Sequence, residues 1–230
     1  MPYSKKLNTL FVHIPKCAGK SFEVAVGMIS KSESQKYKWR SFFNRASKYM
    51  LTQTRDKNSL SRLWGTFDIS IALQHLTYTE IELLGLLGQN TMENAIKVAI
   101  VRNSYDRAVS SYLHMGGDLS FKDFVKTYYT TEGRDHNDLA HKRTQLDYLR
   151  NKKGEIVVDN ILRFENLNED FKRFKDKYNL KVDEMPHIGK QRDKKKYQEF
   201  YCDESFAIVS EVFKEDIEYF NFKMDTTNLT

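Results

Sequence analysis

Short apolar runs alternate with amphipathic segments along the chain, and this alternation predicts the secondary structure. Continuous apolar runs predict buried strands at Thr9–Ile14, Ile69–Leu73, Ile96–Val101 and, less regularly, Ile156–Phe164. Helical spacing of apolar residues predicts helices at Ser21–Ser30, Glu80–Leu87, Tyr105–His114 and Glu204–Phe213. Strands that alternate with helices indicate an α/β fold in three layers, with a central parallel sheet flanked by helices.

Two local patterns refine the predicted helices. Thr79 and Glu82 have the spacing of a capping box, which predicts that a helix begins at about Glu80. The helix after the third strand carries an apolar stripe formed by Tyr105, Ala108, Val109, Tyr112 and Leu113. Its opposite face carries three polar residues, Arg107, Ser110 and His114.

Length and composition fit a single domain spanning residues 1–230. The 37 Lys and Arg residues exceed the 31 Asp and Glu residues, which gives a formal net charge of +6. This mild basic excess favours an anionic ligand. Cys17 and Cys202 can form at most one disulfide, which excludes a disulfide scaffold and favours a reducing compartment.

The sequence predicts no membrane helix. Its longest uncharged runs, such as Ile69–Thr79, fall well short of the ~18 apolar residues that a membrane helix needs. Lys5 and Lys6 precede the apolar segment Leu7–Pro15, but polar residues interrupt that segment and no small-residue cleavage site follows. We therefore interpret it as a buried first strand and expect a cytoplasmic protein.

Two segments keep two interpretations each. Residues 31–63 are rich in basic and aromatic residues without a clean period, which fits either a helical insertion or a mobile substrate loop. The run Lys190–Lys196 holds five basic residues around Asp193. It fits either a solvated turn or an anion-binding loop.

The segment HIPKCAGKS, residues 13–21, follows the first strand and leads into a helix. Free backbone N–H groups at such a junction attract phosphate-like anions, Lys16 and Lys20 add positive charge, and Gly19 allows close approach of the backbone. The last three residues match the end of a Walker A loop, but Ile14 stands where the first glycine of that motif belongs. Taken alone, the segment also fits an ordinary strand–turn–helix junction.

The segment VRNSYDRAVSSY, residues 101–112, follows the third strand. Arg102 ends the strand and Ser110 follows in the helix, so a guanidinium fork and a hydroxyl can bracket one phosphate monoester. A magnesium-dependent NTPase would favour an aspartate at a strand end, whereas the second strand leads into Gln74 and His75. The pattern favours an anion site without a metal ion.

Together, the two segments resemble the motifs of sulfotransferases that use 3'-phosphoadenosine 5'-phosphosulfate (PAPS). The resemblance is closest to the branch that contains heparan sulfate 2-O-sulfotransferase and related carbohydrate sulfotransferases. In the first motif Lys16, Gly19 and Ser21 match. Ala18 replaces a common glycine, and Lys20 replaces a threonine that would donate a hydroxyl.

In the second motif Arg102, Arg107 and Ser110 match, whereas Ser104 stands where proline is common. Weaker echoes of the family occur at Gln145–Leu149, Leu162–Leu167, Glu215–Ile217 and Phe220. The resemblance therefore covers most of the chain, and it implies a P-loop-like form of the α/β fold.

The resemblance also implies the cofactor and its binding residues. It places the 5'-phosphosulfate of PAPS on the loop formed by Lys16, Cys17, Ala18, Gly19, Lys20 and Ser21. It places the 3'-phosphate on Arg102 and Ser110, and we add Lys190 and Arg192 from the basic run as candidates. No metal ion is expected, and the expected partner is a small-molecule or carbohydrate acceptor rather than a nucleic acid.

The sequence offers two candidate catalytic residues, His75 and Lys16. His75 is the candidate base. It follows the second apolar strand, and ligands of open α/β sheets collect at the carboxyl ends of the strands. An imidazole with an ordinary pKa of ~6.5 can accept a hydroxyl proton near neutral pH. The resembling branch also uses a histidine after this strand as its base. The lower-ranked histidines are His114, His136, His141 and His187, and His13 is expected to be structural.

The sequence thus predicts in-line transfer of a sulfuryl group from PAPS to an acceptor hydroxyl, with adenosine 3',5'-bisphosphate (PAP) as product. Cys17 lies beside Lys16 near a helix start, which predicts a lowered thiol pKa, although we interpret it as a packing residue. The main alternative is a P-loop-type, ATP-dependent small-molecule kinase, which would need Mg²⁺. A polyanion-binding module is disfavoured because basic and acidic residues are interleaved along the chain.

Overall fold

The computed structural model of the protein describes residues 3–29, 75–83, 87–133, 136–188 and 196–224. The described strands form one four-stranded sheet in the order β1 (Tyr3–Ser4), β2 (Thr9–Val12), β3 (Ile96–Val101) and β4 (Asn160–Arg163). β1 runs antiparallel to β2, whereas β2, β3 and β4 are parallel to one another. The fold is therefore mixed α/β, with a mostly parallel sheet.

Ten α-helices lie within the described part of the chain. They are α1 (Gly19–Ala25), α2 (Tyr78–Leu83), α3 (Gln89–Asn94), α4 (Ser104–Met115), α5 (Phe121–Tyr128), α6 (His136–Lys142), α7 (Gln145–Leu149), α8 (Leu167–Lys177), α9 (Asp203–Val212) and α10 (Lys214–Phe220). Two 3₁₀ turns occupy Phe164–Asn166 and Tyr197–Phe200. None of the helices in these ranges combines the length and apolarity that crossing a bilayer requires.

The two central strands bring the functional segments together. All of β2 is buried, and so is β3 apart from its first residue, as expected for parallel strands covered on both faces. Their register pairs Val12 with Ala99, so the strands end side by side. The segments that follow β2 and β3 therefore emerge at the same edge of the sheet.

Two hydrophobic clusters stabilise this arrangement. One surrounds the sheet and includes Leu10, Val98 and Ile100, each with no exposed surface. The other is rich in aromatic rings and packs α4 against α5 and α9. Each fully buried aliphatic or aromatic side chain contributes about 1.5–3 kcal/mol relative to exposure, so both clusters hold the ends of β3 and α4 firmly in place.

Several predictions from the sequence are confirmed. β3 has the predicted bounds, and β2 lies within Thr9–Ile14. The predicted helices at Tyr105–His114 and Glu204–Phe213 are present as α4 and α9, each with slightly shifted ends. The parallel sheet is also present, although β1 adds an antiparallel strand that the sequence analysis did not predict.

The predicted capping box is wrong by two residues. The N–H of Glu80 donates to the Thr77 hydroxyl at 3.1 Å, and the N–H of Thr77 donates to the Glu80 carboxylate at 2.9 Å. Thr79 instead donates its hydroxyl to the carbonyl of Arg150. The helix therefore begins at Tyr78, because the reciprocal cap satisfies the free N–H groups at that point.

Other predicted bounds also change. α1 begins and ends earlier than Ser21–Ser30, and only the second half of Ile156–Phe164 forms a strand. Leu113, assigned to the apolar stripe of α4, is 52% exposed. The predicted strand Ile69–Leu73, the segment 31–63 and residues 190–195 of the basic run lie outside the described residues.

Candidate active site

The loop after β2, residues 15–21, is called the anion loop here because of its backbone conformation. Lys16 and Ala18 adopt left-handed conformations with φ of 68° and 62°, on either side of Cys17. Such alternation turns successive N–H groups toward one side of the chain and forms a concave anion-binding nest. Within the described residues, the N–H groups of Cys17, Ala18 and Gly19 donate to no protein acceptor. The backbone alone thus provides a cluster of donors for an anion.

Gly19 is required in this loop for a reason that the sequence did not reveal. A Cβ atom added at Gly19 would lie 2.1 Å from Nε2 of His13. The sequence favours a glycine here for close approach of a ligand, whereas the structure shows close approach of a buried imidazole. The ring of His13 therefore packs against the anion loop at Gly19.

The surroundings of Lys16 disfavour its charged form. Burial and, to a smaller extent, the positive charges of Arg102 and Lys20 together lower its pKa from 10.5 to about 8. A charged ammonium in this position is poorly compensated by the described protein groups. A bound anion would supply the missing compensation.

Cys17 differs from its predicted chemistry. Burial raises the pKa of its thiol to about 12, although Arg107 and Arg102 favour the thiolate. Its Sγ lies 3.5 Å from the carbonyl of Pro15 and 3.5 Å from Oε1 of Gln145. The predicted lowering of the pKa is wrong because desolvation outweighs the neighbouring charges, and the interpretation of Cys17 as a packing residue fits its burial.

Ser21 closes the anion loop and contacts the C-terminal part of the chain. Its Oγ accepts a hydrogen bond from the N–H of Ile188 at 3.2 Å. Ile188 is the last described residue before the basic run. Lys190 and Arg192 themselves lie outside the described residues.

Arg102 lies at the end of β3 and joins the second motif to the anion loop. Its Nη1 donates to the carbonyl of Lys16 at 2.9 Å, and its Nε donates to Oδ2 of Asp106 at 2.6 Å. The guanidinium lies over the ring of Phe164 at 4.1 Å. Within the described residues its Nη2 donates to no protein acceptor, so a fixed donor remains for a ligand. Ser110 lies half-buried in α4.

Arg107 is one of the polar residues that the sequence places opposite the apolar stripe of α4, yet its side chain is buried. The side chain is 1% exposed. Its guanidinium donates to the carbonyls of Pro15, Arg143, Ala140 and His141 at 2.9–3.5 Å. Because carbonyl groups take up its donors, Arg107 connects the anion loop to the end of α6 rather than binding a ligand.

Two of the segments with weaker resemblance to the family, Gln145–Leu149 and Glu215–Ile217, hold the end of β3 in place. The side-chain amide of Gln145 donates to the carbonyl of Arg102 and accepts from its N–H, both at 2.8 Å. Asp216 is fully buried and accepts the N–H groups of Gln145 and Leu146 at 2.7 and 3.0 Å. Burial raises the pKa of Asp216, whereas Arg107 and the backbone hydrogen bonds oppose that rise. These segments position the end of β3.

His75 lies beside the anion loop, as its position in the sequence predicts. Its Nδ1 donates to the carbonyl of His13 at 3.1 Å, since a carbonyl oxygen can only accept. In the neutral ring this leaves the lone pair on Nε2. The residue has φ of 64°, a left-handed conformation that is uncommon for residues other than glycine.

Four histidine rings lie next to one another in the order His13, His75, His141 and His114, of which His13 and His141 are buried and His114 is the most exposed. The ring centroids are separated by 4.5 Å between His13 and His75, 6.0 Å between His75 and His141, and 6.3 Å between His141 and His114. Burial and the charges of Lys16 and Lys20 lower the pKa of His114. His114 and His141 therefore lie near the candidate base.

The remaining predicted histidines contribute less. His187 is exposed near Ile188, and the side chain of His136 lies outside the described residues. Among the described residues, no group of three or more His, Cys, Asp or Glu side chains is arranged to hold a metal ion. The site is therefore described by its anion-binding donors and its histidines.

Sequence reasoning missed two groups of functional interest. The first is the buried pair of His13 and Glu23, whose Nδ1 and Oε1 atoms are 2.9 Å apart. The second is Phe164, on which Arg102 lies. The spacing from His13 to Glu23 crosses a loop and a helix turn, and such a contact has no local sequence signal.

Comparison with known proteins gives one match. A family model described as the sulfotransferase family matches residues 2–223. No curated protein and no solved structure matches the chain significantly.

Proposed function

The chain belongs to the sulfotransferase family, and from this premise we propose that it transfers a sulfuryl group from PAPS to an acceptor hydroxyl. The observation that carries the proposal is the 2.9 Å hydrogen bond from Arg102 to the carbonyl of Lys16. It joins the two anion-binding segments into one continuous site. A ligand with two separate phosphate groups, such as PAPS, matches such a site in charge.

The two ends of the cofactor bind to different groups. The 5'-phosphosulfate lies on the anion loop, where Lys16, Lys20 and Ser21 surround the N–H groups of Cys17, Ala18 and Gly19. The 3'-phosphate lies against Arg102 and Ser110. Arg102 is suited to this role because Asp106, Phe164 and the Lys16 carbonyl fix its guanidinium before the ligand arrives.

The reaction is an in-line displacement at sulfur. Nε2 of His75 accepts the proton of the acceptor hydroxyl, the hydroxyl oxygen forms a bond to sulfur, and the bond from sulfur to the 5'-phosphate oxygen breaks. PAP leaves with additional negative charge on that phosphate. Lys16 and the N–H groups of the loop stabilise the charge as it develops.

The proposed acceptor is a carbohydrate hydroxyl, in line with the branch that the motifs resemble. Lys190 and Arg192 are proposed to add positive charge near the cofactor, because Ile188 connects the start of their segment to Ser21. An ATP-dependent kinase is the competing function, since Gly19, Lys20 and Ser21 match the end of a Walker A loop. Binding experiments with PAP and with ATP plus Mg²⁺ distinguish the sulfotransferase from the kinase.

The main experiment measures binding of PAP and of adenosine 5'-phosphate, which lacks the 3'-phosphate, by calorimetry. Arg102→Ala is expected to weaken binding of PAP about 10- to 100-fold, since a hydrogen bond to a charged group contributes about 1.5–3 kcal/mol. Binding of adenosine 5'-phosphate should change much less. Arg150→Ala is the matched control, because Arg150 forms a partly exposed ion pair with Glu215.

Equal losses for the two ligands would remove Arg102 from its role at the 3'-phosphate. Thermal stabilisation by ATP with Mg²⁺, without stabilisation by PAP, would favour the kinase instead. Both outcomes are read without knowledge of the acceptor.

A second experiment tests the base. His75→Gln is expected to keep the affinity for PAP while kcat falls strongly, because a base acts in the transition state. Wild-type kcat should rise with pH through the ordinary imidazole range near ~6.5. A near-normal kcat in the variant would exclude His75, and His114 would be the next candidate.

A further inference from the structure

We propose that Glu23 and His13 form a buried positioning pair that orients the ring of His75 and connects it to the anion loop. The inference rests on the proposed role of His75 as base. Neither residue of the pair is expected to contact the reacting atoms. Their effect on the reaction is transmitted through the position of His75.

The pair itself is isolated from solvent. His13 is 4% exposed and Glu23 is 1% exposed. Nδ1 of His13 donates to Oε1 of Glu23 at 2.9 Å, which fixes the rotation of the imidazole ring. The two residues lie on different elements, after β2 and in α1, so their contact also fixes the helix relative to the strand.

The other sides of the His13 ring are occupied by the site. Gly19 of the anion loop lies so close that a Cβ would be 2.1 Å from Nε2. The ring of His75 packs edge-on at 4.5 Å, and that of Phe11 lies at 5.3 Å. Rotation of His13 would therefore displace the anion loop, the candidate base or both.

His75 depends on His13 in two ways. The His13 ring packs against the His75 ring, and the His13 carbonyl accepts the Nδ1–H of His75. This hydrogen bond selects the tautomer whose Nε2 can accept a proton. The left-handed backbone of His75 also needs support from surrounding contacts, because such conformations persist only where neighbours hold them.

The cost of burying Glu23 supports a specific role. Its second carboxylate oxygen, Oε2, is buried and has no hydrogen-bond partner among the described residues. A buried polar atom without a partner is unfavourable, and apolar residues of similar volume would stabilise the same space at least as well. Packing alone therefore does not explain a carboxylate at this position, whereas its hydrogen bond to the His13 ring does.

The test compares two substitutions of Glu23 that differ in hydrogen bonding. Glu23→Leu fills the buried space but cannot accept the Nδ1–H of His13, whereas Glu23→Gln can still accept it through its amide oxygen. We expect Glu23→Leu to lower kcat about 10- to 100-fold, the size of effect that misplacement by about 1 Å can have. Affinity for PAP should change by less than about threefold, and Glu23→Gln should recover most of the activity. A merely structural role would predict that leucine is tolerated and that glutamine is no better.

Nuclear magnetic resonance of the protein without cofactor gives a second readout. The ring nitrogens of 15N-labelled His75 should report the Nδ1–H tautomer in the wild type and in Glu23→Gln. In Glu23→Leu they should report a mixture of tautomers. If Glu23→Leu does not fold, His13→Asn replaces it, because asparagine can still donate to Glu23 but lacks the ring that supports His75.

His75→Gly separates this inference from the proposed function. Glycine suits the positive φ of residue 75, so the variant should fold, and added imidazole should restore part of the activity. Free imidazole is not held by His13, so Glu23→Leu should cause no further loss in that background. An equal loss in both backgrounds, or an unchanged His75 tautomer in Glu23→Leu, would overturn the positioning pair. Full activity of His75→Gly without imidazole would overturn the base instead.

Discussion

The anion loop after β2 and the start of α4 after β3 both carry basic residues at the same edge of the sheet, yet their electrostatics differ. In the anion loop, three successive N–H groups have no protein acceptor in the described residues, and the pKa of Lys16 is lowered to about 8. After β3, Arg102 and Arg107 are held by Asp106 and by backbone carbonyls. In the first region the surroundings disfavour the charge of Lys16, whereas in the second region acceptor groups of the protein hold both guanidinium groups.

This difference distinguishes residues that bind a ligand from residues that stabilise the fold. Donors that are already satisfied stabilise the fold, whereas donors left unsatisfied lower the stability of the ligand-free protein and favour an anionic ligand. Unsatisfied donors that are already fixed in place need little reorganisation when negative charge develops during a reaction. We therefore expect substitution of Arg107 to act mainly on folding, and substitutions in the anion loop to act mainly on binding and turnover. Arg102 belongs to both groups, because its Nε and Nη1 are held by the protein while its Nη2 remains for a ligand.

The largest effect is expected for Arg107→Met, which keeps much of the side-chain volume but removes the guanidinium donors from the carbonyls of Pro15, Arg143 and His141. The Ala140 carbonyl keeps the hydroxyl of Tyr148 as a donor. A buried acceptor left without a partner costs about 1–3 kcal/mol, and this substitution affects several such carbonyls at once. Chemical denaturation should therefore show a large loss in the free energy of unfolding. Arg107→Lys should recover only a part, because one ammonium cannot reach carbonyls on several sides.

Arg173→Met is the control for this prediction, since Arg173 is an exposed arginine of α8 that pairs with the half-buried Asp170. It should change the free energy of unfolding by less than about 1 kcal/mol. If Arg107→Met were equally mild and instead abolished binding of PAP, Arg107 would belong to the binding region and the comparison would fail.

The next largest effect is expected for Lys16→Ala. Turnover should fall about 10²-fold or more, the size typical of losing one preorganised donor to developing charge. The free energy of unfolding should stay the same or rise, because the variant no longer places a half-buried ammonium beside Arg102 and Lys20. Initial-rate kinetics and denaturation measure the two effects on the same sample. A large loss of stability with unchanged turnover would show that Lys16 stabilises the fold rather than acting in the reaction.

Local sequence pattern was sufficient to predict much of the framework. The apolar runs of β2 and β3, and the helical period of α4, reflect burial on strands and on one helix face, which depends on neighbours close in sequence. The prediction that both anion-binding segments share one edge also follows from parallel strands. The hydrogen bond from Arg102 to the carbonyl of Lys16 agrees with it.

The sequence was not sufficient where long-range contacts decide the role of a residue. Arg107 has the helical phase of a polar-face residue, but carbonyls from a loop and a distant helix surround it. Cys17 lies beside a lysine, but desolvation in the fold raises its pKa. Gly19 is explained by His13 only in three dimensions. The roles of Lys16, Ser110 and His75 in binding and catalysis stay predictions.

A smaller effect is expected in the pH dependence of binding. Lys16 has a lowered pKa of about 8 in the ligand-free protein, against 10.5 for an ordinary lysine. Its charged form is thus disfavoured on folding, so this cost to stability is fully present below pH 8 and disappears as the pH rises from about 8 to 10.5. A bound anion favours the charged form, so binding above pH 8 must take up a proton.

The affinity for PAP should therefore fall above pH 8, by at most tenfold per pH unit. Calorimetry in two buffers with different ionisation enthalpies should detect proton uptake above pH 8 and little at pH 7. Lys16→Arg should abolish both effects, because a guanidinium stays charged throughout this range. A pH dependence that persists in Lys16→Arg would assign the titration to another group.

The smallest effect is expected for Lys20→Thr, which introduces the residue common in the resembling motif. Turnover should fall only a few-fold, because a threonine hydroxyl can still donate to the phosphosulfate and Lys16 keeps its charge. The positive charge of Lys20 lowers the pKa of Lys16, so its removal should raise that pKa and move the fall in PAP affinity to higher pH. Binding measured between pH 7 and 10 in the wild type and the variant tests the shift. If Lys20→Thr were more damaging than Lys16→Ala, Lys20 would be the principal phosphate ligand, as in a Walker A loop, and the kinase would replace the sulfotransferase as the better interpretation of the anion loop.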